Sequence, residues 1–100
     1  MDRFEELRKK ILPVLLPYVR RVAVFGSFAR GEDTQESDVD ILVELKPQNE
    51  CPPLGLKWFG LEEEPSRILG RRVDLVGESA LSSYIRPYVE KEMVVLYEEG

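Results

Sequence analysis

The apolar positions at the start of the chain repeat with a helical period. Phe4, Leu7, Ile11 and Leu12 fall at helical spacing with charged residues among them, so residues 2–12 predict an amphipathic helix. Asp2 is placed to cap it, and Glu5 three positions on has capping-box spacing. Pro13 is expected to end or kink this helix, with room for a further helical turn to Tyr18. Val22-Ala23-Val24-Phe25 is apolar on both faces and stops at Gly26, the pattern of a buried central strand. Residues 26–31, GSFARG, read as a turn into a short helix. From 38 to 45 the pattern alternates: Val39, Ile41, Val43 and Leu45 share one face, and Asp38, Asp40, Leu42 and Glu44 the other.

Residues 46–55 hold three prolines and a glycine and read as a loop. Residues 56–69 return to a helical period that Pro65 interrupts, which predicts one or two short helices closed by Gly70. Residues 71–76 form a third strand. A last helical stretch opens at Glu78 or Ser79, with Leu81, Ile85, Tyr88 and Val89 inward and Pro87 as a kink. Residues 93–97, MVVLY, are a fourth strand or an extended apolar tail. Helices alternating with short strands define an α/β or α+β class with a small mixed sheet.

At 100 residues the chain is expected to form one domain, residues 1–100. No apolar run approaches the roughly 20 residues that span a bilayer, and the charged N-terminus has no secretory apolar region. A cytoplasmic location without membrane association is the expectation. The formal net charge is −5, from 14 basic and 19 acidic residues. With the basic residues scattered, charge-driven nucleic-acid binding is not expected. Histidine is absent and Cys51 is the single cysteine. That removes His-dependent triads and thiolate or imidazole metal sites, so any metal must sit on oxygen ligands, as Mg²⁺ or Mn²⁺ does.

Candidate chemistry concentrates between Phe25 and Val43. Gly26-Ser27 follows a strand and precedes a helix, where free N–H groups suit phosphate; alone, the pair also fits an ordinary turn with Ser27 as N-cap. Asp38 and Asp40 put two carboxylates on one strand face, an arrangement that suits a divalent cation or a solvated edge. Asp74 interrupts the apolar run of the third strand. Beside the second strand it can face the same way, completing a metal site or accepting a proton; otherwise it is an exposed edge residue.

Taken together, Gly26-Ser27, Asp38-Val39-Asp40 and a later strand aspartate resemble the nucleotidyltransferase superfamily that includes DNA polymerase beta. The flanking residues, from Phe25 to Gly31, from Ser37 to Val43 and from Gly70 to Val76, look like its minimal nucleotidyltransferases, and the resemblance covers nearly the whole chain. It implies a small mixed sheet with helices packed mainly on one face. Asp38, Asp40 and Asp74 would be the catalytic and metal-holding carboxylates. Gly26 and Ser27 would contact the β- and γ-phosphates of ATP. Arg30 would contact phosphate or lock the loop to an acidic residue, and Ser37 joins the nucleotide contacts. Phe28 departs from the polar or basic residue many relatives carry, and Pro65 is also unusual for the family.

The implied reaction is attack of a hydroxyl on the α-phosphate with loss of pyrophosphate, which asks for positioned charge rather than a protein nucleophile. The acceptor site must come from a partner chain, from self-association or from the acceptor itself. Relatives of this size pair with helical HEPN-family toxins and serve as their antitoxins, some by adenylylating a tyrosine. Three functions are therefore open: adenylyl transfer from ATP to a HEPN partner, neutralisation of that partner by binding alone, and nucleotidyl transfer to a small molecule. Trp58-Phe59 and the MVVLY tail are candidates for an interface, or else for the core.

Overall fold

The computed structural model describes residues 2–47 and 57–99. Nearly all of the proline-rich loop, together with Cys51 and the Phe59 side chain, lies outside the described residues. Helix α1 spans Arg3–Leu15, followed by strand β1 (Val19–Phe25), helix α2 (Gly26–Arg30) and strand β2 (Val39–Leu45). Helix α3 (Lys57–Leu69) leads to strand β3 (Val73–Gly77), and helix α4 (Arg86–Glu92) to strand β4 (Val94–Glu98). The strands form one mixed sheet in the order β3-β2-β1-β4. β1 runs antiparallel to both β2 and β4, while β3 runs parallel to β2.

The larger core lies on one sheet face. There Leu7, Ile11, Leu12 and Leu15 of α1 and Leu61 of α3 meet Val22, Val24, Val39, Ile41, Val73 and Leu75. The opposite face carries a smaller cluster, where Val89 of α4 covers Ala23 and Leu42. This is the expected α+β arrangement, with helices mainly on one side.

Several element boundaries differ from the sequence reading. Asp2 caps α1 as expected, accepting the Glu5 N–H at 2.8 Å. The helix nevertheless continues through Pro13, and Leu16 still donates to the Leu12 carbonyl at 2.9 Å. An interior proline costs about 3 kcal/mol, and the apolar burial at Leu12 and Leu15 outweighs it. Of the one or two helices expected around Pro65, α3 forms one, unbroken, and Pro65 is fully buried. β1 begins three residues early, because Val19 is completely buried.

The C-terminal helical stretch needs the largest correction. Only a 3-10 turn forms at Glu78–Ala80 before α4. Leu81 packs inward and Val89 is buried, but Ile85 and Tyr88 are 50% and 73% exposed. Pro87 lies in the first turn of α4, where no N–H partner is lost, and is not a kink. Trp58, Val94 and Tyr97 pack against the main core and Leu96 is buried in it, so these positions are core rather than interface. Within the described chain, no helix is long and apolar enough to cross a membrane.

Both sheet edges are covered by side chains. On the β3 edge, Val73 N–H donates to Ser66 Oγ at 2.8 Å and Leu75 N–H to Glu62 Oε2 at 2.9 Å. On the β4 edge, Arg8 Nε donates to the Leu96 carbonyl at 2.8 Å. Edge groups served this way are unavailable for pairing with another strand. Replacing Ser66 by Ala leaves the Val73 N–H without its acceptor. We expect a loss of about 1–2 kcal/mol, read as a lower urea midpoint at an unchanged m value.

Candidate active site

β2 carries the centre of the site. Its register sets Asp40 opposite Phe25 of β1 on one side and beside Asp74 of β3 on the other. Adjacent strands lie about 4.8 Å apart, so Asp40 and Asp74 stand abreast on the face opposite Val39 and Ile41. Asp38 sits one residue before β2, where the Val39 N–H bonded to the Arg72 carbonyl at 2.9 Å secures the strand's start.

Gly26 packs directly on this charge. It has φ +74°, and a Cβ there would collide with Asp40 Oδ2 and lie 3.2 Å from Asp40 Cγ. Only glycine satisfies both the left-handed backbone and the close approach. Ser27 is the second residue of α2 and does not cap it; the cap position is Phe25, with no side-chain cap bond. The simple capping explanation of Gly26-Ser27 is therefore not what the fold uses.

Burial pushes the Asp40 carboxyl above the usual carboxylate range, with Asp74, Asp38 and Glu92 adding to the rise and Arg30 opposing it. Ionised Asp40 thus costs folding free energy at neutral pH, a cost relieved as pH falls through its raised value. The chain supplies oxygen donors only. Among the described residues, no three or more Asp, Glu, Cys or His side chains are drawn together tightly enough to hold a metal ion. Two carboxylates side by side still suit Mg²⁺, which keeps several waters and takes its remaining oxygens from substrate phosphates.

Arg30 is held to acidic residues, donating to Glu32 at 2.9 Å and to Glu92 at 2.6 Å. These two partners raise its pKa further. This contact is the acidic one of the two that the sequence left open for Arg30. The Ser37 hydroxyl serves the turn before Asp38, accepting the Thr34 N–H at 2.9 Å. Phe28 faces the core rather than the carboxylates. Its ring lies 5.9 Å from Phe4, edge to face, and the Arg3 guanidinium stacks on it at 3.9 Å.

Four residues around the site escaped the sequence reading. Glu92 reaches it from α4, bonding both Arg30 and the Gly26 N–H, the latter at 3.3 Å. Asp33 and Arg71 fix the loop that presents Asp38. Arg71 donates to the Thr34 and Ser37 carbonyls at 2.9 and 3.0 Å and pairs with Asp33 at 3.0 Å. Arg3 closes the clamp from α1, and Arg3 then Arg71 hold the Asp33 carboxyl below its usual range. No spacing rule would have found these contacts, although Arg71 lies in the same motif as Asp74. A cavity of about 360 Å³ on the α1 side is lined by Arg3, Phe28, Asp33 and Arg71, and none of the three aspartates lines it. All three are half-buried outside it.

The comparisons with known proteins agree with this geometry. The family model described as "Nucleotidyltransferase domain" matches residues 3–96, and the chain belongs to that family: it is a nucleotidyltransferase. Protein adenylyltransferase MntA of Thermococcus cleftensis is 50% identical over 76 residues, covering 76% of this chain and 73% of that protein. A solved structure described as a minimal nucleotidyltransferase superposes with TM-score 0.71 at 35% identity, covering 94% of this chain and 95% of that one. The complex of a tri-AMPylated Shewanella oneidensis HEPN toxin with an MNT antitoxin contains a chain of the same fold. Its TM-score is 0.68 at 21% identity, over 95% of this chain and 72% of that one.

Gly26→Ala should destabilise the fold by about 1–3 kcal/mol and displace Asp40, measured by urea unfolding. For the clamp, linkage gives the sign. A depressed carboxyl pKa stabilises above the ordinary Asp value of about 3.9 and loses that contribution as pH falls below it. Asp33→Asn should lower the melting temperature at pH 7 and flatten its acid dependence.

Proposed function

We propose that this protein transfers AMP from ATP to a hydroxyl of a partner protein, with Mg²⁺ or Mn²⁺ as the metal and a HEPN-family toxin as the partner. The protein then acts as the antitoxin, in the cytoplasm. The observation that carries the reading is Asp40 set abreast of Asp74 against the backbone of Gly26. The relatives support it: one is a protein adenylyltransferase, and another of the same fold is an antitoxin bound to an AMPylated toxin.

Asp38, Asp40 and Asp74, not drawn tightly together in the free chain, would close on the divalent ion, which supplies positive charge against the triphosphate and the pyrophosphate it releases. The Gly26 N–H and the Ser27 hydroxyl would orient the β- and γ-phosphates, with Arg30 and Ser37 beside them. In the transfer, the acceptor hydroxyl oxygen forms a bond to the α-phosphorus, in line with the departing β-phosphate. The bond between the α-phosphorus and the bridging oxygen breaks, and pyrophosphate leaves with that oxygen and its electron pair. Asp74 would receive the hydroxyl proton. Burial beside like charges keeps Asp40 short of compensating charge, a deficit that a cation offsets.

A second reading rests on a different observation. Tyr84, Ile85 and Tyr88 are 86%, 50% and 73% exposed at the start of α4. An apolar aromatic patch of this kind suits a protein partner, so neutralisation by binding alone is the alternative.

Intact mass of the neighbouring-gene product, after incubation with this protein, ATP and Mg²⁺, separates the two. The expected result is a gain of one or more adenylyl groups with the wild type and none with Asp40→Asn. No gain together with a stable complex would favour binding alone. Asp40→Asn should also raise the melting temperature by up to a few degrees by removing a costly charge. Mg²⁺ should stabilise the wild type and leave that variant unchanged.

A further inference from the structure

Glu92 occupies donors that the nucleotide reading gives to phosphate. One carboxylate oxygen takes the Gly26 N–H at 3.3 Å, and the other takes Arg30 Nη1 at 2.6 Å. Anion oxygens accept charge-assisted hydrogen bonds from both groups, and these are the stronger kind. The Gly26 N–H has one hydrogen to give, so Glu92 and a phosphate oxygen compete for it. A triphosphate seated there would also press its negative charge on Glu92, in a site already holding Asp38, Asp40 and Asp74.

The helix that delivers Glu92 is tied at its start, where Arg86 donates to the Glu78 carbonyl at 2.8 Å, but makes few apolar contacts. α4 has seven residues, of which Val89 alone is buried, and Glu92 is its last. Ile85 and Tyr88 project into solvent, so few apolar contacts oppose its movement, the condition under which local opening is cheap.

We infer that Glu92 is a built-in latch: its carboxylate closes the phosphate site over Gly26 and Arg30, and nucleotide must displace it, loosening α4. The latch rests on the nucleotide reading above. It makes the chain's own C-terminal helix a competitor of its substrate, and the penalty falls on binding rather than on the transfer step.

The test pairs one variant with one wild-type measurement. Titration calorimetry compares wild type and Glu92→Ala for inorganic tripolyphosphate and for α,β-methylene ATP, both with Mg²⁺. The expected result is binding tighter by about three- to tenfold in Glu92→Ala, the size of one lost charge-assisted contact. Hydrogen exchange of residues 86–92 in the wild type should speed up on saturation with tripolyphosphate, independently of the variant's fold. Wild-type binding that Glu92→Ala leaves unchanged or weakens, with exchange in α4 unchanged or slowed, would overturn the latch and leave Glu92 as a permanent anchor of Arg30. Absence of binding by both proteins would overturn the nucleotide reading, and the latch with it.

Discussion

The Asp40 carboxylate is pinned between two neighbouring strands and the backbone of Gly26, and much of the molecule answers to that position. β2 must lie between β1 and β3 for the carboxylate to meet both Gly26 and Asp74. The turn after β1 must be glycine, since any Cβ would strike the carboxylate. Burial and three other carboxylates raise its pKa against the opposing charge of Arg30, an environment that suits the cation of the proposed reaction.

The scaffold divides its labour between the two sheet faces. α1 and α3 pack the large apolar core against one face and close the sheet edges through Arg8, Ser66 and Glu62. That leaves the other face thinly covered around the carboxylates. Between the faces, the Asp33 and Arg71 clamp ties the loop before Asp38 to the start of β3. One guanidinium thus joins the segments that carry Asp38 and Asp74, so their spacing is held by the fold rather than by either strand alone.

The exposed apolar side chains around the start of α4 and the carboxylate face both suit the proposed reaction, in which nucleotide and acceptor come from outside the chain. A small domain that buries its hydrophobic residues on one side has little surface left to build an acceptor pocket. The acceptor in a protein-modifying reaction brings its own structure, which removes the need for one.

Local pattern was enough to read the mixed α+β class, strands within 22–25, 38–45 and 71–76, and the Asp2 cap, because each rests on period, on residue type or on a short motif. Helix continuity through Pro13 and Pro65 was not legible, since burial at neighbouring positions outweighs a local penalty that sequence shows in full. Ile85 and Tyr88 fit a helical period yet face solvent, because α4 is short and Val89 alone gives it a buried side. The pairing of Asp40 with Asp74 needed the parallel register of β2 and β3, and the hold of Glu92 on Gly26 needed a contact across 66 positions of chain. Residue type and spacing along the chain therefore singled out the candidate groups for the proposed chemistry. Only the tertiary structure decided which of them meet, because contacts between distant segments are set by strand register and core packing.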